Sequence, residues 1–128
     1  MQSFSLSGTV RPYRGDGRRL GYPTANIEIP NDTAEGTFVG WVTLRGQKHP
    51  ATIFIGAPVT LNDPVKRAEA HILDFADEDL YGEEITMQVV HKLRDNFKFS
   101  SQAELIKHMQ RDEQDARAYF KKTTQPKS

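Results

Sequence analysis

Three stretches carry side chains whose types and spacing could do chemistry. The first is GRRLGYPTANIEIP, Gly17 to Pro30. Pro23 fixes its own backbone angle and bars the residue before it from helix, so Thr24 and Asn26 enter a strand with a set direction. Residues two apart on a strand share a face, and a hydroxyl beside a carboxamide there makes an oxygen-rich spot. Such a spot could ligate Mg²⁺ or hold phosphate oxygens, with waters completing the shell. Glycines at 15, 17 and 21 permit close approach of the backbone to an anion, and Arg18 or Arg19 would add positive charge. The same residues also suit a plain β-turn followed by strand-edge hydrogen bonds from a Thr and an Asn.

The second stretch is AEAHILDF, where Glu69 sits on an otherwise apolar strand and shares a face with His71. A carboxylate in a partly apolar setting could take a proton from a substrate hydroxyl within hydrogen-bond reach. The plain alternative is a solvent-facing glutamate, with His71 a packed or surface histidine. The third stretch, LRDNFKF, sets Arg94 near Phe97 and Phe99. Two aromatics beside an arginine can sandwich a flat heterocycle, or can plug a seam between structural elements. Other candidates fall away. Histidines 49, 71, 91 and 108 show no metal-ligand spacing, and the acidic run Asp74, Asp77, Glu78, Asp79 lacks the spacing of a calcium loop. That run reads as a solvated turn, in which Tyr81 could still offer its ring to a base.

Composition limits what these groups can serve. With 128 residues, 37% apolar and 27% charged, the chain suits one soluble globular domain. Seventeen basic and seventeen acidic residues balance to zero, which leaves no general footprint for nucleic acid or an anionic membrane. No apolar run approaches a membrane span, and MQSFSLSG lacks the regions of a signal peptide, so the expected location is the cytoplasm. With no cysteine, disulfides, thiolate chemistry and cysteine-held metals are excluded, whereas a hard cation held by oxygens is allowed.

The elements that must position these groups are mostly strands. FSLSGTV alternates apolar and polar residues, and ANIEI, TFVGWVTL, PATIFIG, AEAHILDF and ITMQVVHKL follow, separated by turn residues. Six short strands with no helix between them point to a closed antiparallel barrel, since closure removes exposed edges. The pattern changes at Ser100. Ser101-Gln-Ala-Glu104 has the form of a capping box, and Leu105, Met109, Asp112, Ala116 and Phe120 recur at helical spacing, with Ile106 widening the stripe. The expected organisation is a single domain over residues 1–122 with a helix at about 101–121, then a polar tail at 123–128.

Taken in order, these segments resemble the riboflavin kinase family, the flavokinases that also form the C-terminal module of bacterial bifunctional FAD synthetases. GRRLGYPTAN looks like the family's G-R-x-L-G-x-P-T-A-N signature, and Ile55-Gly56, EAHILDF, the DLYG turn, Leu93-Arg94, Lys98-Phe99 and the helix with Asp112 match in sequence order. The resemblance implies an all-β fold with a C-terminal helix, a six-stranded antiparallel Greek-key barrel. It implies a reaction in which ATP and riboflavin give ADP and FMN, with Mg²⁺ or another divalent cation. By residue it implies Thr24 and Asn26 as metal and phosphate ligands, and Glu69 as general base toward the ribityl 5′-hydroxyl. Arg18 and Gly15 would lie near the nucleotide phosphates, Ile72, Asp74 and Tyr81 would border the adenine nucleotide, and Arg94, Asn96 and Phe97 would face the flavin. Partners would be the two substrates alone, with no nucleic acid and no membrane, on a monomer.

Three segments depart from the family pattern. Tyr13 stands where a glycine usually closes G-x-V-x-x-G; Pro58 and Thr60 stand apart where Pro-Thr is common; Asn96 replaces a frequent acidic residue. They motivate an alternative reading, a catalytically weak or inactive flavin- or nucleotide-binding barrel of the same fold. Retention of Glu69 speaks against it, because a binder needs no base. A translation-type barrel that contacts RNA is a further rival, weakened by the lack of a basic stripe. No nucleotidyltransferase segment precedes the barrel in this chain, so FMN is the expected end product, whether the chain stands alone or is an excised domain.

Overall fold

Among the described residues, alternation along the chain resolves into six strands and one long helix: β1 (Phe4–Thr9), β2 (Thr24–Ile29), β3 (Gly36–Leu44), β4 (Gln47–Gly56), β5 (Lys66–Ile72), β6 (Glu84–Arg94) and α1 (Gln102–Thr124). The computed structural model describes residues 2–11, 24–56, 66–75, 78–96 and 100–124. All pairings are antiparallel, in the order β1-β6-β3-β4-β5-β2. The connections from β2 to β3 and from β5 to β6 each pass over two intervening strands, which is the Greek-key feature. The outer strands β1 and β2 approach each other and nearly close the barrel, with Arg11 N–H donating to the Asn26 carbonyl at 2.8 Å. Gly8 permits that approach, since a Cβ there would lie 3.2 Å from the Ile27 Cβ.

Inward-facing residues fill the barrel. Leu6, Val10, Ala25, Ile27, Phe38, Val42, Ile53, Ile55, Ala68, Ala70, Ile72, Met87 and Val89 form one buried cluster. Removal of side chains such as Ile27 or Phe38 from water contributes about 1.5–3 kcal/mol each. The small Ala51, Ala68 and Ala70 beside larger residues let the walls come together. At Gly40 the β3–β6 register shifts, and a side chain there would collide with the Gln88 carbonyl oxygen and the Ile53 side chain. Only glycine fits that bulge.

The strand ends differ slightly from the sequence expectation. β4 begins at Gln47 and not at Pro50, because the hairpin turn is just Arg45 and Gly46, both at positive φ (52° and 78°). Helix α1 starts at Gln102 and runs to Thr124, with Lys121 and Lys122 placed favourably against the negative end of its dipole. Its N-terminus is capped by Ser101, whose Oγ accepts the Glu104 N–H at 3.1 Å. The Glu104 carboxylate bonds the Ser100 hydroxyl, so the capping box is only half formed.

Helix α1 packs over the outward side of β3 and β6 and also approaches β4. Ala116 and Phe120 pack on Val39 and Leu73, with Trp41, Val90, Leu93 and Tyr119 at the margins. The Trp41 and Phe120 rings meet edge to face at 4.8 Å. Asp112, on the buried stripe, receives a bidentate pair from Arg94 at the end of β6 (Nε to Oδ1 2.9 Å, NH2 to Oδ2 2.8 Å). A second bidentate pair runs from Arg117 to Asp74, with both bonds at 2.8 Å. The helix is thus clamped just beyond the end of β5 and at the end of β6.

Candidate active site

The outward side of β2, β5 and β4 is where the chemistry-bearing side chains collect. Since Ala25, Ile27, Ala68, Ala70, Ile53 and Ile55 point into the barrel, their neighbours Thr24, Asn26, Glu69, His71, Thr52 and Phe54 share the other face. Register sets them in rows. Thr24 lies opposite His71, which lies opposite Thr52; Asn26 lies opposite Glu69, which lies opposite Phe54. Pairing of β5 on both sides fixes the backbone of Glu69.

Most of the patch is withdrawn from water. Thr24 and Asn26 are 9% and 6% exposed, and the Glu69 and His71 side chains 17% and 14%. Glu69 Oε1 lies 2.6 Å from His71 Nε2. Phe54 is the exception at 41%, a large apolar ring left outside the core beside the carboxylate. Its ring lies over Gly56, where any side chain would collide with it. Neither Phe54 nor Thr52 figured among the residues expected from sequence, although the alternation in PATIFIG carries both to the Glu69 face once the β4–β5 register is known.

The remaining expected residues are placed as follows. The Ile72 side chain is buried in the barrel core, so only its backbone can border a ligand. Asp74, at φ 56°, holds an exposed carboxylate against Arg117, whose hydrogen bonds and charge keep it below the usual carboxylate value. Tyr81 is 45% exposed in a turn where Asp79 Oδ1 accepts its backbone N–H at 2.9 Å. Arg94 is held in the plane of its guanidinium by Asp112 and the Asp95 carbonyl. Asn96 bridges two strands, donating to the Ile55 carbonyl at 2.9 Å and accepting from Thr37 Oγ1 at 3.2 Å. Gly15, Arg18 and Phe97, together with Tyr13 and Pro58, lie outside the described residues.

A hard divalent cation prefers oxygen donors, and Thr24 and Asn26 offer a hydroxyl and a carboxamide on one face beside a carboxylate. Among the described residues no three His, Asp or Glu side chains come together as a metal site. A hydroxyl and a carboxamide would suit a cation that keeps phosphate and water oxygens in its shell. No helix among the described residues is long and apolar enough to cross a membrane.

Fold and patch together define a class: a small Greek-key barrel with a C-terminal helix and an oxygen-rich, carboxylate-bearing patch on its outward face. Residues 1–120 match the family model described as Flavokinase, riboflavin kinase. The chain belongs to the riboflavin kinase family. It is 34% identical over 123 residues to the bifunctional riboflavin kinase/FMN adenylyltransferase of Listeria monocytogenes, covering 93% of this chain and 39% of that protein. It is 31% identical over 121 residues to human riboflavin kinase, covering 89% of this chain and 78% of that one. In three dimensions it is similar to riboflavin kinase from Trypanosoma brucei, with a TM-score of 0.67 over 100% of this chain and 93% of that one at 22% identity, a likeness of fold.

Proposed function

We propose that the chain transfers the γ-phosphoryl group of ATP to the ribityl 5′-hydroxyl of riboflavin, giving FMN and ADP, on the β2–β5–β4 patch. The observation that carries this is the pairing of Asn26 with Glu69 on a largely buried outward face, in a chain of the riboflavin kinase family. The hydroxyl oxygen bonds to the γ-phosphorus as the bond to the bridging oxygen breaks, and that electron pair leaves with ADP. The hydroxyl proton passes to the Glu69 carboxylate and then to solvent. Thr24 and Asn26 would hold phosphate oxygens and a divalent cation, which when bound would neutralise charge on the phosphates.

The patch suits this reaction because phosphoryl transfer asks the protein mainly to position groups and offset charge. Phe54 supplies an apolar wall beside the base, and Arg94 contacts the flavin. Arg18 and Gly15 on the nucleotide side, with Asp74 and Tyr81 near the adenine and Asn96 and Phe97 near the flavin, complete the reading. One copy of the chain in the cytoplasm, with its two substrates and neither nucleic acid nor membrane, is the working unit. The test is incubation with riboflavin, ATP and Mg²⁺ followed by chromatography. FMN should form, and should fail to form when either ATP or the divalent cation is withheld.

A further inference from the structure

Glutamate has three rotatable side-chain bonds, so a carboxylate meant to meet a hydroxyl in one geometry must be held there. The structure supplies the hold. Within β5, Glu69 and His71 point to one face, and His71 Nε2 sits 2.6 Å from Glu69 Oε1. Both backbones are fixed by ladders to β2 on one side and β4 on the other. The imidazole stands in the row between Thr24 and Thr52, both buried, which limits how far it can swing.

We propose that His71 is the positioning residue for Glu69: its Nε2–H donates to Oε1 and fixes the carboxylate so that Oε2 receives the substrate proton. The proposal rests on the reading of Glu69 as the base. It assigns His71 no contact with substrate and no transfer of its own; the proton goes to Glu69 throughout. The arrangement is the base-plus-orienter pair that recurs wherever a proton acceptor needs a defined rotamer. Here the order is inverted, with the histidine orienting and the carboxylate accepting.

The experiment compares kcat and KM for both substrates, and Tm, in His71→Phe, His71→Gln, His71→Asn and Glu69→Gln, and in Glu69→Gln combined with each His71 substitution. Phenylalanine keeps the ring and loses the donor; glutamine places an N–H at similar reach; asparagine keeps the amide but falls short of Oε1. His71→Phe and His71→Asn should lower kcat by about tenfold to a hundredfold, below the loss expected for the base itself. KM should stay within about twofold, and His71→Gln should recover most of the rate. In the Glu69→Gln background the His71 substitutions should cost almost nothing more, because residues acting as a unit are not additive. Equal rates for the Gln and Asn variants, or losses that multiply with Glu69→Gln, would overturn the proposal. If His71→Phe fails to fold, the Gln and Asn comparison decides alone. Full kcat in Glu69→Gln would instead remove the base reading itself, so the two failures are distinguishable.

Discussion

A hydroxyl and a carboxamide two residues apart are ordinary on any strand, and Thr24 and Asn26 take on meaning from what lies opposite. Asn26 faces Glu69 across the β2–β5 ladder, and its carbonyl is held from the other side by Arg11 N–H. If Thr24 supplies an oxygen to the phosphates and their cation, Thr24→Val should lower kcat by about tenfold to a hundredfold, the worth of one charge-assisted bond. Its far-UV CD should remain that of the wild type, and the loss should persist across a Mg²⁺ titration. Normal activity at every Mg²⁺ concentration would remove Thr24 from the site. The residue types were legible in the sequence, because Pro23 and strand alternation fix which side chains share a face. Their cross-strand partners were not, since register depends on how loops of different length bring β2, β4 and β5 together. The same gap hid the side-chain direction of Ile72, which a single strand's alternation assigns to the core only after Glu69 is known to face outward.

At the scale of elements, the strands announced themselves wherever one face is wet, as in FSLSGT, whose Leu6 is buried between exposed neighbours. In GTFVGWVTL that contrast is lost, because Val39 and Trp41 on the outward side are themselves covered by α1. The Gly40 bulge was illegible for that reason. Two arginine–carboxylate clamps hold the helix, and they invite separate tests. Asp112→Ala leaves Arg94 largely buried without its carboxylate and should lower stability by about 2 kcal/mol in urea unfolding. Arg94→Ala should cost a similar amount and should also weaken quenching of riboflavin fluorescence more than it weakens ATP binding. If Asp112→Ala weakens the quenching equally, Arg94 acts through the helix and not on the flavin. The Asp74–Arg117 pair is exposed and screened, and its effect is one of pH. Arg117 holds Asp74 below its ordinary 3.8, so the pair adds stability above that value and loses it as pH falls through the lowered one. Asp74→Asn, which keeps a residue tolerant of positive φ, should lower Tm slightly at pH 7, with the gap to wild type closing toward pH 3 and in high salt. A gap that ignores both pH and salt would mean that the charge pair contributes nothing.

The molecule as a whole is a nearly closed scaffold with its chemistry on the outside. Barrel packing consumes the inward residues, α1 packs over the outward side of β3 and β6 and approaches β4, and Thr24, Asn26, Glu69, His71, Thr52 and Phe54 lie on the outward side of β2, β5 and β4. That division explains why a carboxylate can sit on a rigid central strand without burdening the core. Glu69→Gln keeps size and shape but cannot accept the proton, and a neutral amide on that face leaves the barrel packing untouched. The most direct measurement is the rate of FMN formation by the wild type and by Glu69→Gln at saturating riboflavin, ATP and Mg²⁺, with riboflavin binding followed by fluorescence. The wild type should give FMN and ADP in equal amounts, and the variant a kcat lower by about 10²- to 10⁴-fold with binding and Tm nearly unchanged. FMN made by the variant at the wild-type rate, or no FMN from the wild type at all, would contradict the proposed reaction.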